Sequence, residues 1–134
     1  MIDQVTRELV RTRAQFRCEY CLLHQRHIGK SKLHLDHVIP RKHFGGDDLG
    51  NLALACDQCN LRKGVNLSGI DQITGQVVKL YNLRRDTWIE HFEFRAASVV
   101  GFTACGRATV SVLDMNHPDR LEIRSLLEFL GNSD

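Results

Sequence analysis

Two cysteine pairs constrain what this chain can fold into more than any other feature. The first pair is Cys18 and Cys21 and the second is Cys56 and Cys59, with two residues inside each pair. Two such pairs can supply four thiolates to one tetrahedral zinc ion, because each knuckle presents both of its sulfur atoms to a single point. The span between the pairs is longer than in an ordinary zinc ribbon, so further structure must be built inside it.

The remaining composition favours a metal site over a disulfide scaffold. The 134 residues are 43% hydrophobic and 25% charged, which is typical of one globular domain. The sequence begins without the layout of a signal peptide and has no apolar run long enough to span a membrane. We therefore expect a cytoplasmic protein, where thiolates hold metal more often than they form disulfides. Cys105 has no partner at knuckle spacing, and we expect it to bind no metal.

Basic residues are concentrated in the N-terminal third of the chain. Residues 1–43 hold nine Lys or Arg against four Asp or Glu, whereas the whole chain has a formal net charge of +2. A polyanionic partner would suit this distribution. A solvated helix face explains it equally well.

The segment between the two cysteine pairs predicts a hairpin followed by a helix. Residues 32–40 are rich in Leu, Val and Ile and predict a strand, and residues 51–55 predict a second one. Three glycines between them, in residues 41–50, predict a turn region. A short helix over residues 57–63 should end at Gly64. In space this order gives a two-stranded hairpin with a helix laid across it.

The flanking segments predict further helices and strands, and with them an α+β fold. Asp3 should cap an N-terminal helix over residues 3–14, with an apolar stripe at Val5, Leu9 and Val10. Asn116 should cap the last helix, with Leu126, Leu127 and Leu130 on its buried face. The other elements predicted after residue 68 are a hairpin at 73–81, strands at 87–94 and 99–103, and a helix at 104–115.

The stretch LHLDHVIPRKHFGGDDLGNLALACDQCNLRKG resembles the HNH endonuclease family, in its zinc-bearing branch with paired knuckles. The motifs D-H-x-I-P, G-G, N-L and C-x-x-C-N coincide in order. The resemblance covers residues 16–64 and implies a ββα-metal core stabilised by a four-cysteine zinc site. Residues 69–134 resemble the C-terminal extension of small stand-alone bacterial HNH proteins, so residues 1–134 are predicted to form a single domain.

The same resemblance implies a metal-dependent endonuclease that hydrolyses DNA phosphodiester bonds. The matching positions give His37 as general base, Asp36 and Asn60 as ligands of a catalytic Mg²⁺ or Mn²⁺, and Asn51 as the residue that orients the histidine. Imidazole ordinarily titrates near neutral pH, and carboxylate and amide oxygens suit hard divalent ions. Many family members have histidine where this chain has Asn60, which should favour Mg²⁺ or Mn²⁺ over Zn²⁺ or Ni²⁺.

The expected partner is double-stranded DNA, and the expected source is bacterial or phage-encoded. Four basic residues flank the motif and should contact backbone phosphates, which position DNA without reading its sequence: Arg41, Lys42, Arg62 and Lys63. The alternative is a catalytically inactive zinc module that binds nucleic acid or a protein. Retention of Asp36, His37 and Asn60 together argues against that alternative, because a binding module needs only the cysteines. RNA remains open as a substrate.

Overall fold

The structure, a computed structural model, describes residues 2–131. Its first element is a helix whose arginine side chains bind other parts of the chain. Helix α1 (Gln4–Arg13) starts at Asp3, whose carboxylate accepts a hydrogen bond from the amide of Thr6. Of the predicted apolar stripe only Val10 is buried, whereas Val5 and Leu9 are 69% and 50% exposed. That part of the prediction is wrong.

Hydrogen bonds to backbone carbonyls replace the missing apolar contacts of α1. Arg11 donates to the carbonyl of Leu33, and Arg13 donates to the carbonyls of Leu49 and Leu52. These bonds join α1 to the segment between the cysteine pairs. A single helical turn, α2 (Gln25–Ile28), follows the first pair.

The segment between the pairs forms the predicted hairpin and helix. Strand β1 (Leu33–His37) pairs antiparallel with β2 (Leu52–Cys56), so that His37 lies opposite Leu52. Every residue of β2 is buried, which explains its continuous apolar run. Helix α3 (Asp57–Lys63) follows immediately, packs on both strands and ends at Gly64, which has a φ of 52°. The predicted α+β fold with a ββα core is confirmed.

Up to residue 131, the C-terminal extension contains two hairpins and two helices. The first hairpin pairs β3 (Ser68–Ile70) with β4 (Val77–Lys79), and the second pairs β5 (Phe92–Arg95) with β6 (Ser98–Gly101). Helix α4 (Ala104–Val112) packs on both hairpins, and α5 (Pro118–Phe129) follows it. The predicted limits of the domain, residues 1 and 134, lie outside the described residues.

Two expectations for the last helix are wrong. The side chain of Asn116 binds the amide and carbonyl of Val99, at 2.8 Å each, so His117 caps α5 instead. Leu126 and Leu130 are 57% and 66% exposed, and Leu127 is only partly buried. The buried positions of α5 are arginines 120 and 124.

A third expectation, the strand over residues 87–94, is only partly correct. Residues Trp88–Glu90 form a 3-10 turn, and the strand begins at Phe92. The turn directs the indole nitrogen of Trp88 to the backbone carbonyl of Tyr20, at 2.8 Å, inside the first cysteine pair. The rings of Phe92 and Phe94 pack beside that of Trp88, which therefore links this segment to the first cysteine pair.

The extension and the cysteine pairs share one hydrophobic core. Tyr20 and Leu54 from the first half of the chain are buried in the same cluster as Phe92, Val99 and Met115. An ion pair between Arg84 and Glu19 and a hydrogen bond from Gln58 to the carbonyl of Asp114 add polar links between the halves. No helix among residues 2–131 is both long and apolar enough to cross a membrane.

Candidate functional site

The four cysteines of the two pairs meet at one buried point. Their sulfur atoms all lie within 4.8 Å of one another, and those of Cys21 and Cys56 are 3.8 Å apart. Zn–S bonds of about 2.3 Å in a tetrahedron place sulfur atoms roughly 3.8 Å apart, so this donor set fits one zinc ion. The amides of Cys21 and Cys59 donate to the sulfurs of Cys18 and Cys56, at 3.4 Å each, which fixes both knuckles.

An arginine from α5 adds positive charge beside the sulfur cluster. Burial lowers the pKa of Arg120, but the charge of Cys56 and a hydrogen bond to it outweigh burial and raise that pKa. The guanidinium also donates to Asp57 at 2.7 Å. Hydrogen bonds from Cys18 and the other thiols lower the pKa of Cys56. The extension thus places a positive charge beside Cys56, the residue that ends β2.

His37 lies at the end of β1, where its ring is held by an aspartate from the following loop. The Nε2 atom lies 2.7 Å from Oδ1 of Asp47, and Arg41 donates to both carboxylate oxygens of Asp47, at 2.8 and 2.9 Å. Hydrogen bonds from His37 and Arg41 lower the pKa of Asp47. An ionised carboxylate only accepts hydrogen bonds, so the contact with Asp47 favours the tautomer with its proton on Nε2 and leaves Nδ1 as the acceptor, although the Nε–H of Arg41 also lies 3.4 Å from Nε2.

Asn51 fastens the loop that carries Arg41 and Asp47. Its Oδ1 accepts from the amide of Ile39 at 2.8 Å, and its Nδ2 donates to the carbonyls of Ile39 and Gly46, at 3.0 and 2.9 Å. A Cβ at Gly45 would lie 1.6 Å from the carbonyl oxygen of Ile39, so only glycine fits there. The loop therefore closes tightly against the end of β1.

Asp36 is buried beside His37, with two partners. It is 6% exposed, accepts a hydrogen bond from the hydroxyl of Tyr20 at 3.0 Å, and has the Lys63 ammonium 3.3 Å from its Oδ2. Burial raises the pKa of Asp36, and Lys63 and Tyr20 act in the opposite direction. Lys63 is 3% exposed and also donates to the carbonyl of His37 at 3.0 Å. The expected phosphate contact of Lys63 does not fit this buried position.

Asp36, His37 and Asn60 line one cleft of about 260 Å³. Asp36 and His37 are neighbours, which a regular strand would direct to opposite faces, but β1 ends at His37. Asp36 and Asn60 line the same cleft, and carboxylate and amide oxygens are donors of the kind that Mg²⁺ and Mn²⁺ prefer.

A larger cleft of about 560 Å³ adjoins the first, and basic side chains line it. His37, Arg41 and Asn60 lie on its wall, and Arg7 and Arg11 of α1 lie there too. Arg41, Lys42 and Arg62 are exposed, as expected of residues that contact phosphate. Arg7, Arg11 and Arg41 thus share one cleft with His37 and Asn60, and Lys42 lies on the smaller cleft.

The sequence model of the HNH endonuclease family matches residues 18–66. Residues 18–66 are an HNH domain. The match begins at Cys18 and includes both cysteine pairs, the hairpin and α3. The comparisons with curated proteins and with solved structures found no match. The hairpins and helices that follow residue 66 lie outside the HNH domain.

Sequence reasoning missed three groups around the HNH domain's cleft. Asp47 follows the Gly45-Gly46 turn ten positions after His37, and no local pattern indicates that it reaches the imidazole. Tyr20 lies inside the first cysteine pair, and nothing in the sequence indicates that its hydroxyl contacts Asp36. Arg7 and Arg11 could have been found, because they lie off the apolar side of α1 within the basic third of the chain.

Proposed function

We propose that this protein is a metal-dependent endonuclease that hydrolyses DNA phosphodiester bonds, with His37 as general base. The observation that supports this most is the position of His37 in the HNH domain. Its Nε2 is bound to Asp47, and its ring lies on the cleft that Asp36 and Asn60 also line. A general base needs this arrangement, with one nitrogen fixed and the other free to accept a proton.

The side chains around His37 would assist the proton transfer. Nδ1 takes a proton from the attacking water, and the carboxylate of Asp47 stabilises the imidazolium that forms. Arg41 keeps Asp47 ionised through its two hydrogen bonds. Asn51 keeps the loop closed, so that both groups stay in contact with His37 during the reaction.

Asp36 and Asn60 would hold the catalytic Mg²⁺ or Mn²⁺. Such an ion supplies positive charge to a phosphate oxygen and to the departing 3′ oxygen. Tyr20 and Lys63 hold the carboxylate of Asp36 in place from the buried side. Lys63 therefore acts as a positioning residue in this proposal, rather than as a surface contact for DNA.

The structural ion would be one Zn²⁺ bound by the four paired cysteines. Four sulfur ligands leave no open position, so this zinc takes no part in the chemical step. Its binding free energy contributes to folding, because the sulfur cluster joins the first knuckle to the end of β2.

The basic side chains along the larger cleft would bind the phosphate backbone of double-stranded DNA. Arg7, Arg11 and Arg41 line that cleft, Lys42 lines the smaller one, and Arg62 is exposed on α3. Arg11 also donates to the carbonyl of Leu33, which fixes its side chain on the wall of this cleft. Arg7→Ala or Arg62→Ala should weaken binding and reduce its salt dependence without slowing the chemical step.

A plasmid-nicking assay with Mg²⁺, Mn²⁺ or EDTA tests the proposal. His37→Ala should lose about 10² to 10⁴ in rate at saturating metal and still bind DNA. His43→Ala removes an exposed histidine from the loop 41–50 and should cleave like wild type. If His37→Ala cleaves as fast as wild type, the proposed active site is wrong.

Ligand variants separate the ion site from the base. Asp36→Asn and Asn60→Ala should require more Mn²⁺ for cleavage than wild type, whereas Asn60→His should change the metal preference. Zinc content checks that each variant is folded. Wild-type protein that binds DNA but cleaves neither DNA nor RNA with any of the ions would refute the enzyme proposal and support the inactive zinc module.

A further inference from the structure

The C-terminal extension brings together three metal-binding side chains outside the HNH domain. Asp86, His91 and Cys105 each offer a ligand atom, and these atoms all lie within 4.8 Å of one another. Asp86 lies in the turn before residue 88, His91 lies just before β5, and Cys105 lies in the first turn of α4. All three side chains are partly buried. The two residues beside Cys105, His91 and Asp86, precede it by 14 and 19 positions in the sequence. Knuckle spacing therefore could not indicate this cluster.

Neighbouring groups fix the orientation of two of these side chains. Nδ1 of His91 lies 2.7 Å from the hydroxyl oxygen of Thr103, the cap of α4, so Nε2 is the nitrogen left for an ion. Metal-binding histidines in proteins are commonly held in this way through their second nitrogen. One oxygen of Asp86 accepts from the amide of Asn82 at 2.9 Å, which leaves the other oxygen for an ion.

The electrostatics favour a cation over a reactive thiol at this cluster. Burial and the negative charge of Asp86 raise the pKa of Cys105. An activated cysteine nucleophile needs a lowered pKa, and in a catalytic triad the carboxylate would hold the histidine. Here Thr103 contacts Nδ1 of His91 instead. A cation between the three groups would balance the carboxylate and allow the thiol to ionise.

We propose that Asp86, His91 and Cys105 form a second zinc site, with its fourth position open to water. Sulfur, imidazole and carboxylate ligands suit Zn²⁺ and the similar ion Co²⁺, whereas Mg²⁺ prefers oxygen ligands alone. The ion would join the turn after residue 82 to the start of α4. Three ligands hold zinc less firmly than the four cysteines, and acid weakens binding because the thiol must lose its proton.

Measurement of zinc capacity tests this site without any activity assay. Protein equilibrated with Zn²⁺ and passed over a desalting column should hold two zinc ions per chain, and Cys105→Ser should hold one. Calorimetric titration should show that dialysed wild type takes up one more equivalent of Zn²⁺ than dialysed Cys105→Ser does, whereas the two proteins should take up the same amount of Mg²⁺. Uptake of that equivalent should release a proton and weaken below neutral pH.

Two further variants complete the test. His91→Ala should behave like Cys105→Ser. The control His43→Ala changes an exposed histidine that is distant in sequence from the cluster, and it should keep both ions. Because His91 packs against Tyr81, circular dichroism must show that its variant is folded. The inference is overturned if wild type holds only one zinc, or if Cys105→Ser holds two. Neither result bears on cleavage by the HNH domain.

Discussion

Replacing Asn51 with alanine should open the loop beside His37 by a predictable amount. The variant loses three hydrogen bonds, one to the amide of Ile39 and two to the carbonyls of Ile39 and Gly46. At about 1 kcal/mol each, the closed loop is destabilised by about 3 kcal/mol. Since about 1.4 kcal/mol corresponds to a factor of ten, the open population rises on the order of 100-fold.

Amide hydrogen exchange, followed by NMR on zinc-loaded protein, measures this opening directly. The amide of Ile39 should exchange on the order of 100-fold faster in Asn51→Ala. Asn51→Asp keeps the acceptor for that amide but loses both donors, so exchange at Ile39 should increase less. Asn66→Ala, a change at an exposed asparagine, is the matched control and should exchange like wild type. Unchanged exchange at Ile39 in Asn51→Ala would refute the role of this side chain in closing the loop.

Three further predictions concern zinc, loop geometry and pH. Cys59→Ser should lose the structural zinc and unfold by circular dichroism, and freshly purified wild type without zinc would contradict the sulfur site. Gly45→Ala should destabilise the fold by about 2 kcal/mol in urea, because its Cβ would meet the carbonyl of Ile39; an unchanged urea midpoint would count against that contact. The pKa of Asp47, followed by NMR of its carboxyl carbon, should lie below the ordinary 3.8, so its contact with His37 persists at neutral pH and is lost only in acid; a pKa at 3.8 or above would refute it.

Local patterns carried enough information to predict the core of the HNH domain. The paired cysteines predicted the sulfur cluster, because knuckle geometry depends on residues three positions apart. The helix over residues 57–63 and its end at Gly64 were predicted to the residue, since a cap and a glycine mark them. Both predicted strands lie between the two cysteine pairs in the sequence, so the hairpin had to form there.

Contacts between distant residues explain what the sequence could not predict. Lys63 has the sequence context of an exposed helix end, and only the packing of α3 on β1 shows that it faces Asp36. Leu126 and Leu130 have the spacing of a buried face, yet arginines occupy the buried positions of α5 because they bind backbone carbonyls and Asp57. Cys105 likewise acquires neighbours only through the fold of the extension.

The hydrogen bond between Tyr20 and Asp36 connects the first cysteine pair to the cleft of the HNH domain. Tyr20 lies between two proposed zinc ligands, and its hydroxyl contacts the carboxylate proposed to bind the catalytic ion. An ion that orders the first knuckle therefore also orders Asp36. Linkage is reciprocal, so occupancy of the catalytic position must strengthen zinc binding by the same free energy with which zinc favours that occupancy. In the proposed enzyme, the structural ion would thereby act as an effector of the catalytic one.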